Sequence, residues 1–362
     1  MTNNAVVPSR RTGHTARPAA TAAGTAVMAG ALLLTGCSSA DEEKPKRPAP
    51  AVSSPRPSSP APTSPAKEST AFAPYVDTSL RPSYDLLKGA EETGVKEYNL
   101  AFVSPGGGCV PKWGGRQALG DNPVARQAKA LRAKGGDVRI SFGGQSGNEL
   151  ARVCGSVDKL VRAYSEVIDT YGLTRADFDI EGPALTDTKA NNLRAQAIAR
   201  LQQRGKLDVS FTLPVLPSGL NRHSVAVLEN AAKHGARISA VNIMAMDYGT
   251  YYDGDMGQYA ISAATATQKQ VKSALGIRDD ARAWKAVGVT PMIGVNDVKG
   301  EVFTPDDAAE LKRFAGKKGL GRLSMWSLTR DKACPGGANL KAAATCSSLG
   351  KPANEFTRAF TG

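Results

Sequence analysis

Ala176-Asp177-Phe178-Asp179-Ile180-Glu181 alternates strictly between apolar and acidic residues. In an extended strand, side chains two positions apart point the same way. Asp177, Asp179 and Glu181 therefore share one face, and Ala176, Phe178 and Ile180 share the other. On an isolated antiparallel strand such a pattern means a solvated acidic face, but the flanking sequence argues for another setting. Short β-branched or apolar runs recur at 72–77, 97–103, 138–143, 208–213, 238–246, 286–293 and 322–328. Helical segments with legible ends lie between them. Asn122-Pro123 opens one that Gly135-Gly136 closes, and Ser156 opens another that stops before Gly172. The segments from Asp187 to Gly205 and from Ser262 to Gly276 follow the same grammar, and Thr304-Pro305-Asp306-Asp307 is a strong N-terminus.

With 176–181 as the fourth strand, eight strand-then-helix units in series predict a (β/α)8 barrel. Parallel strands covered on both faces read as uncharged runs, as in Ser239-Ala240-Val241-Asn242-Ile243-Met244. The fourth strand does not. Inside a barrel its acidic face looks inward, where charge is costly unless paired or used. Active sites of such barrels sit at the carboxyl ends of the strands. Glu181 then stands at the rim, with Asp179 and Asp177 successively deeper. Neighbouring carboxylates cannot all ionise cheaply, so one stays protonated as a proton donor. That arrangement suits glycosidic bond cleavage.

Composition removes several competing chemistries. Of 362 residues 41% are hydrophobic and 22% charged, which excludes wholesale disorder. His14, His223 and His234 are the only histidines, and no HExxH or His/Cys metal spacing exists, so neither a metal nor a cofactor is expected. The net charge of +13 is scattered along the chain and not gathered on one helix face, which argues against a nucleic-acid partner. A monomer is expected.

The first seventy residues read as an address and a tether. A basic, polar 1–17 precedes a largely apolar 19–34, too short for a membrane span of roughly twenty residues. Leu34-Thr35-Gly36-Cys37 follows, and residues 38–70 hold eight prolines among Ser, Ala and Lys, so they cannot bury apolar area. The expected organisation is a signal peptide at 1–36, a linker at 37–70 and one barrel domain at 71–362. The remaining four cysteines, Cys109, Cys154, Cys334 and Cys346, suit an oxidising compartment. Three pairings are possible; Cys109–Cys154 with Cys334–Cys346 joins segments that the layout places together.

Two resemblances sharpen this reading. Leu34-Thr35-Gly36-Cys37 resembles a bacterial lipobox, which implies a lipid on Cys37 and a place on the extracellular face of the cell membrane. The acidic strand resembles the Asp-Gly-x-Asp-x-Asp-x-Glu signature of glycoside hydrolase family 18, the chitinases and their relatives. Ser141-Phe142-Gly143-Gly144 resembles that family's Ser-x-Gly-Gly, Met244-Ala245-Met246-Asp247-Tyr248 its Met-x-Tyr-Asp, and Trp326 its tryptophan on the eighth strand. All lie in the expected order, each at a strand end. The resemblance implies a TIM barrel that hydrolyses β-1,4-linked N-acetylglucosamine polymers by substrate-assisted catalysis. It implies Glu181 as the proton donor and Asp179 as the partner of the acetamide N–H. Asp177 shares a proton with Asp179, Ser141 bonds Asp177, and Trp326 lies under the sugar.

Tyr75, near the end of the first strand, and Trp113, in the loop after Gly106-Gly107-Gly108, are further candidates for the pocket wall. Trp284 reads as packing. Thr174 and Arg175 replace the first Asp and Gly of the signature, and Met246 replaces a tyrosine whose hydroxyl binds the acetamide oxygen. Methionine has no donor. Tyr248, two residues on, is expected on the same face as a substitute; the direction of Asp247 is open. Two other functions remain in view. One is an endo-β-N-acetylglucosaminidase acting on N-glycans by the same chemistry, separable by groove shape. The other is a non-catalytic lectin-like barrel, which the acid at 181 argues against.

Overall fold

The computed structural model describes residues 70–146 and 148–362, so the expected signal peptide, Cys37 and all but the last residue of the linker lie outside the described residues. Its strands are β1 (Ala71–Phe72), β2 (Tyr75–Asp77), β3 (Glu97–Pro105), β4 (Pro111–Trp113), β5 (Asp137–Gly143), β6 (Arg175–Asp179) and β7 (Asp208–Leu216). There follow β8 (Gly219–Leu220), β9 (Ala240–Ala245), β10 (Val287–Pro291), β11 (Gly294–Val295), β12 (Val302–Phe303) and β13 (Arg322–Leu323). The longer helices are α1 (Leu86–Thr93), α2 (Val157–Tyr171), α3 (Thr188–Arg204), α4 (Arg222–Lys233), α5 (Met256–Ala274) and α6 (Pro305–Lys318).

 Each helix lies outside the sheet and starts at a side-chain cap. Asp85, Ser156, Asp187, Asn221 and Asp255 each accept a first-turn backbone N–H, and Thr304 and Asp307 cap α6 reciprocally.

The wall strands pair in parallel in the order β1, β13, β10, β9, β7, β6, β5, β3, β2. β1 and β2 are the two halves of one first strand, parted at Ala73-Pro74. Because β1 pairs with β13 and β2 with β3, the sheet closes on itself as an eight-stranded barrel. This is the expected α/β architecture, with three local departures. The fourth strand ends at Asp179, and Glu181 stands just before the short helix Gly182–Thr186, its side chain making no cap bond. The expected helix at 122–135 is one 3-10 turn, Ala125–Gln127, followed by the short helix Ala128–Ala133; Asn122 Oδ1 accepts the N–H groups of Val124 and Ala125. The eighth strand pairs over two residues, after which Trp326 meets Met292 in a single bridge.

The two faces of β6 go where its alternation sends them. Phe178 points outward, stacked on Phe142 at 5.2 Å and edge-on to Tyr164 of α2 at 5.1 Å and Phe211 of β7 at 6.0 Å. Leu160 and Val167 of α2 are buried with them. Behind this cluster a fully buried Arg194–Glu149 pair, 2.7 Å apart, is completed by the Tyr164 hydroxyl, so its charges are paired. Cys109–Cys154 and Cys334–Cys346 are both bridged, and Trp284 packs edge-on against Phe314 at 5.8 Å. Among the described residues no helix is long and apolar enough to cross a membrane.

Phe178→Ala empties the centre of that aromatic cluster. A loss of about 3–5 kcal/mol is expected in a urea unfolding curve, as for other buried Phe truncations.

Candidate active site

The inward face of β6 meets hydroxyls from three other strands. Tyr75 of β2 and Ser141 of β5 donate to Asp177 Oδ2 at 3.0 and 2.7 Å, and Ser210 of β7 donates to Oδ1 at 2.6 Å. Thr212 lies 3.0 and 3.1 Å from the two oxygens. Its hydroxyl in turn accepts from Asn242 of β9 at 3.1 Å, and Asn242 accepts from Thr290 of β10 at 2.9 Å. Both oxygens of this buried carboxyl are thereby satisfied. Below it Arg139 reaches Ser210 at 3.4 Å and the Asp208 carboxylate at 2.6 Å, and Arg322 approaches the same carboxylate at 3.9 Å. Burial lowers the Arg322 guanidinium to about 10. Arg175, in the place of the signature glycine, pairs with Glu97 at 2.6 Å.

Asp179 lies one step nearer the rim. The two glycines of Ser141-Phe142-Gly143-Gly144 make room for it: a Cβ at Gly143 would run into the Asp179 carbonyl oxygen, and one at Gly144 would lie 2.9 Å from the Phe102 ring. Both adopt positive φ, +103° and +93°, which glycine tolerates. Asp179 is 4% exposed and its Oδ1 has no donor. Burial, then the neighbouring Glu181 and Asp177, hold its carboxyl well above the usual range. Burial also raises Glu181; its hydrogen bond with Asp179 pulls it back and Asp247 pushes it up again. The pair therefore holds a proton more tightly than free carboxyls do. That hydrogen bond runs between Asp179 and Glu181. Hydroxyls occupy both Asp177 oxygens.

Asp179 and Glu181 open into a cavity of ≈ 240 Å³ that is also lined by Tyr75, Met246, Asp247 and Trp326. Trp326 is half-buried and stacked on Phe102, 5.5 Å between ring centres. Past Phe102, Gln145 and Trp326 a second hollow of ≈ 790 Å³ runs toward Gln117 and Asn122. Ser141 serves the site from beneath, through Asp177.

Two expected positions need correction. Tyr248 does not face the cavity: Asp247 adopts φ +50°, which breaks the strand alternation after β9. Asp247 lines the cavity and stays exposed, while Tyr248 is buried between Tyr252 at 5.7 Å and Tyr259 at 6.1 Å. Trp113 is no exposed rim platform. It lies in β4 at 3% exposure, its indole N–H donating to Tyr171 at 2.8 Å, and only borders the second hollow. Met246 does line the cavity, as Tyr75 does.

Thr212, Asn242 and Thr290 were not anticipated, although each is a polar residue at inward parity in a buried strand, which is a usable signal. Gln145 and Asp297 reach the cavity from loops, where no periodicity marks them. Among the described residues no group of three His, Cys, Asp or Glu could hold a metal ion.

A closed barrel with an acidic ladder at its carboxyl end defines the class, and relatives define the family. No protein-family model matches the chain. Over 284 residues, 74% of the chain, it is 37% identical to the Escherichia coli (strain K12) protein named "Probable bifunctional chitinase/lysozyme", covering 31% of that protein. It is 35% identical over 291 residues, 76% of the chain, to Endochitinase 11 of Metarhizium anisopliae, covering 53% of it. The chain thus spans about a third and about half the length of these two curated relatives. Catalytic-site mutants of active domain 2 of the Pyrococcus furiosus chitinase, complexed with chito-oligosaccharides, superpose with a TM-score of 0.72 at 34% identity; the match covers 80% of this chain and 93% of that one. The chain belongs to the chitinase family, glycoside hydrolase family 18.

The raised Asp179 carboxyl has a consequence for stability. In the unfolded chain Asp179 ionises in the ordinary range near 4, whereas the fold holds it neutral to higher pH. Its contribution is therefore fully present below that range and lost as pH rises through the folded value. Asp179→Asn escapes this loss. Its melting temperature relative to the unsubstituted protein is expected to climb between pH 4 and pH 8 in a thermal-melt series.

Proposed function

We propose that this chain is a retaining glycoside hydrolase that cleaves β-1,4-linked N-acetylglucosamine polymers such as chitin by substrate-assisted catalysis. One observation carries the reading: Asp177, Asp179 and Glu181 stack up one inward face, and the upper two open into a cavity bordered by Trp326. The orphan Oδ1 of Asp179 supports an acetamido sugar, since a buried acceptor without a donor suits an incoming amide N–H.

In this reading Glu181 gives its proton to the glycosidic oxygen as the bond to the anomeric carbon breaks. The substrate's own acetamide oxygen forms the new bond to that carbon, leaving a positively charged oxazolinium ring. Asp179, hydrogen-bonded to the acetamide N–H, offsets the charge. Water then attacks the anomeric carbon, Glu181 takes its proton, and the ring reopens. Two displacements at one carbon retain its configuration. Met246 leaves the acetamide oxygen without a tyrosine hydroxyl at that position, and the half-buried Trp326 ring offers the sugar an apolar floor.

Glu181→Gln is expected to lower kcat on chito-oligosaccharides by about 10²–10⁴-fold while oligomer binding persists. Product analysis by NMR is expected to show the β-anomer first. Undiminished turnover in the variant, or an inverted product, refutes the mechanism. A parallel assay on a high-mannose glycopeptide separates chitin from N-glycan cleavage.

For the intact chain the proposal includes a lipid on Cys37 that holds the barrel at the outer face of the cell membrane. Cys37→Ala is expected to move the protein from the membrane fraction to the medium, and unchanged retention rejects the anchor.

A further inference from the structure

Asp247 reaches the cavity only because its backbone takes a left-handed turn, φ +50°, which a residue with a side chain adopts at a cost. Something must hold that turn, and the structure supplies it from the hairpin of β11 and β12. Glu301, the residue before β12, is fully buried. Its Oε1 accepts the Gly249 backbone N–H at 2.8 Å, two residues past the turn, while its Oε2 has no donor.

The contact is reciprocal. Asp247 Oδ1 accepts the Val298 N–H at 3.0 Å. Each acid therefore caps the backbone of the loop that carries the other. Arg330 fastens the hairpin from below, donating to the carbonyls of Ile293 at 2.9 Å and Val295 at 2.7 Å. A buried carboxylate is expensive, and a turn can be stabilised in cheaper ways. What this one secures is the direction of Asp247.

We propose that Glu301 is a positioning residue for the reaction, holding the Asp247 carboxyl at the wall of the cavity that Glu181 also lines. The proposal rests on Glu181 being the proton donor. The carboxyl pair is drawn from two loops, 247–249 and 297–301.

The sign of the effect follows from the charges present. Glu181 faces Asp179 and Asp247. Asp247 itself faces Asp297, Glu301 and the Arg330 guanidinium. A negative Asp247 near Glu181 favours the protonated acid, so Glu181 keeps its proton to higher pH. If the clasp opens and Asp247 turns away, Glu181 loses its proton earlier. The alkaline limb of the rate profile then moves to lower pH.

Two substitutions in the full-length protein test this. Glu301→Gln replaces a charged acceptor of the Gly249 N–H with a weaker neutral one and so loosens the clasp. Asp247→Asn keeps an acceptor for Val298 and removes only the charge. With chitotetraose as substrate, both are expected to shift the alkaline limb of kcat/KM downward by about half to one pH unit. For Glu301→Gln, kcat at pH 8 is expected to fall several-fold with KM little changed. A folded Glu301→Gln protein with an unshifted limb overturns the proposal, even if its activity falls along with its melting temperature. Should Glu301→Gln fail to fold, an unshifted limb in Asp247→Asn overturns it equally. The underlying reading fails separately: an active Glu181→Gln protein removes the acid, whereas an inactive one beside an unshifted Glu301→Gln rejects the clasp alone.

Discussion

A carboxyl in the middle of a closed barrel has no water to turn to, and the interior of this protein is arranged around that constraint. Asp177 draws hydroxyls from β2, β5 and β7, so the first, third and fifth barrel strands are tied to the fourth across the lumen. Asn242 and Thr290 extend the network to the sixth and seventh. Where many barrels fill their centre with branched apolar side chains, this one fills it with matched donors and acceptors. Arg139, Arg322 and Asp208 continue the polar column beneath.

Satisfying the lowest acid leaves the upper two to each other. With Asp177 occupied, Asp179 has Glu181 as its hydrogen-bond partner and an oxygen with none. Crowding of acids in a small, largely enclosed space then does what a proton donor requires: it keeps a proton on the pair beyond the range where free carboxyls lose theirs. The loops complete the wall. Trp326 rests on Phe102, and the turn at Asp247 brings a third carboxyl to bear on Glu181.

Much of the fold could be read residue by residue. Caps such as Ser156 and Thr304 marked helix starts because a side chain that satisfies first-turn amides is a local device. The parity of β6 announced an acidic inner face and the aromatic outer face of Phe178. Errors arose where local rules end. Tyr248 was placed by continuing an alternation that the left-handed turn at Asp247 interrupts. Trp113 seemed free because a Gly-rich loop precedes it, yet pairing of β4 with β3 folds it back onto Tyr171.

The sequence by itself determined which residues alternate, which segments begin and end as helices, and that three acids must share a face, since each of these depends on neighbours within a few positions. Tertiary structure decided which hydroxyls meet Asp177, which way Asp247 turns, and which carboxyl Asp179 leans toward. Those choices join residues scores of positions apart, such as Tyr75 with Asp177 and Gly249 with Glu301. Barrel closure and loop docking bring them within hydrogen-bond reach, and no pattern of nearby residues encodes that distance.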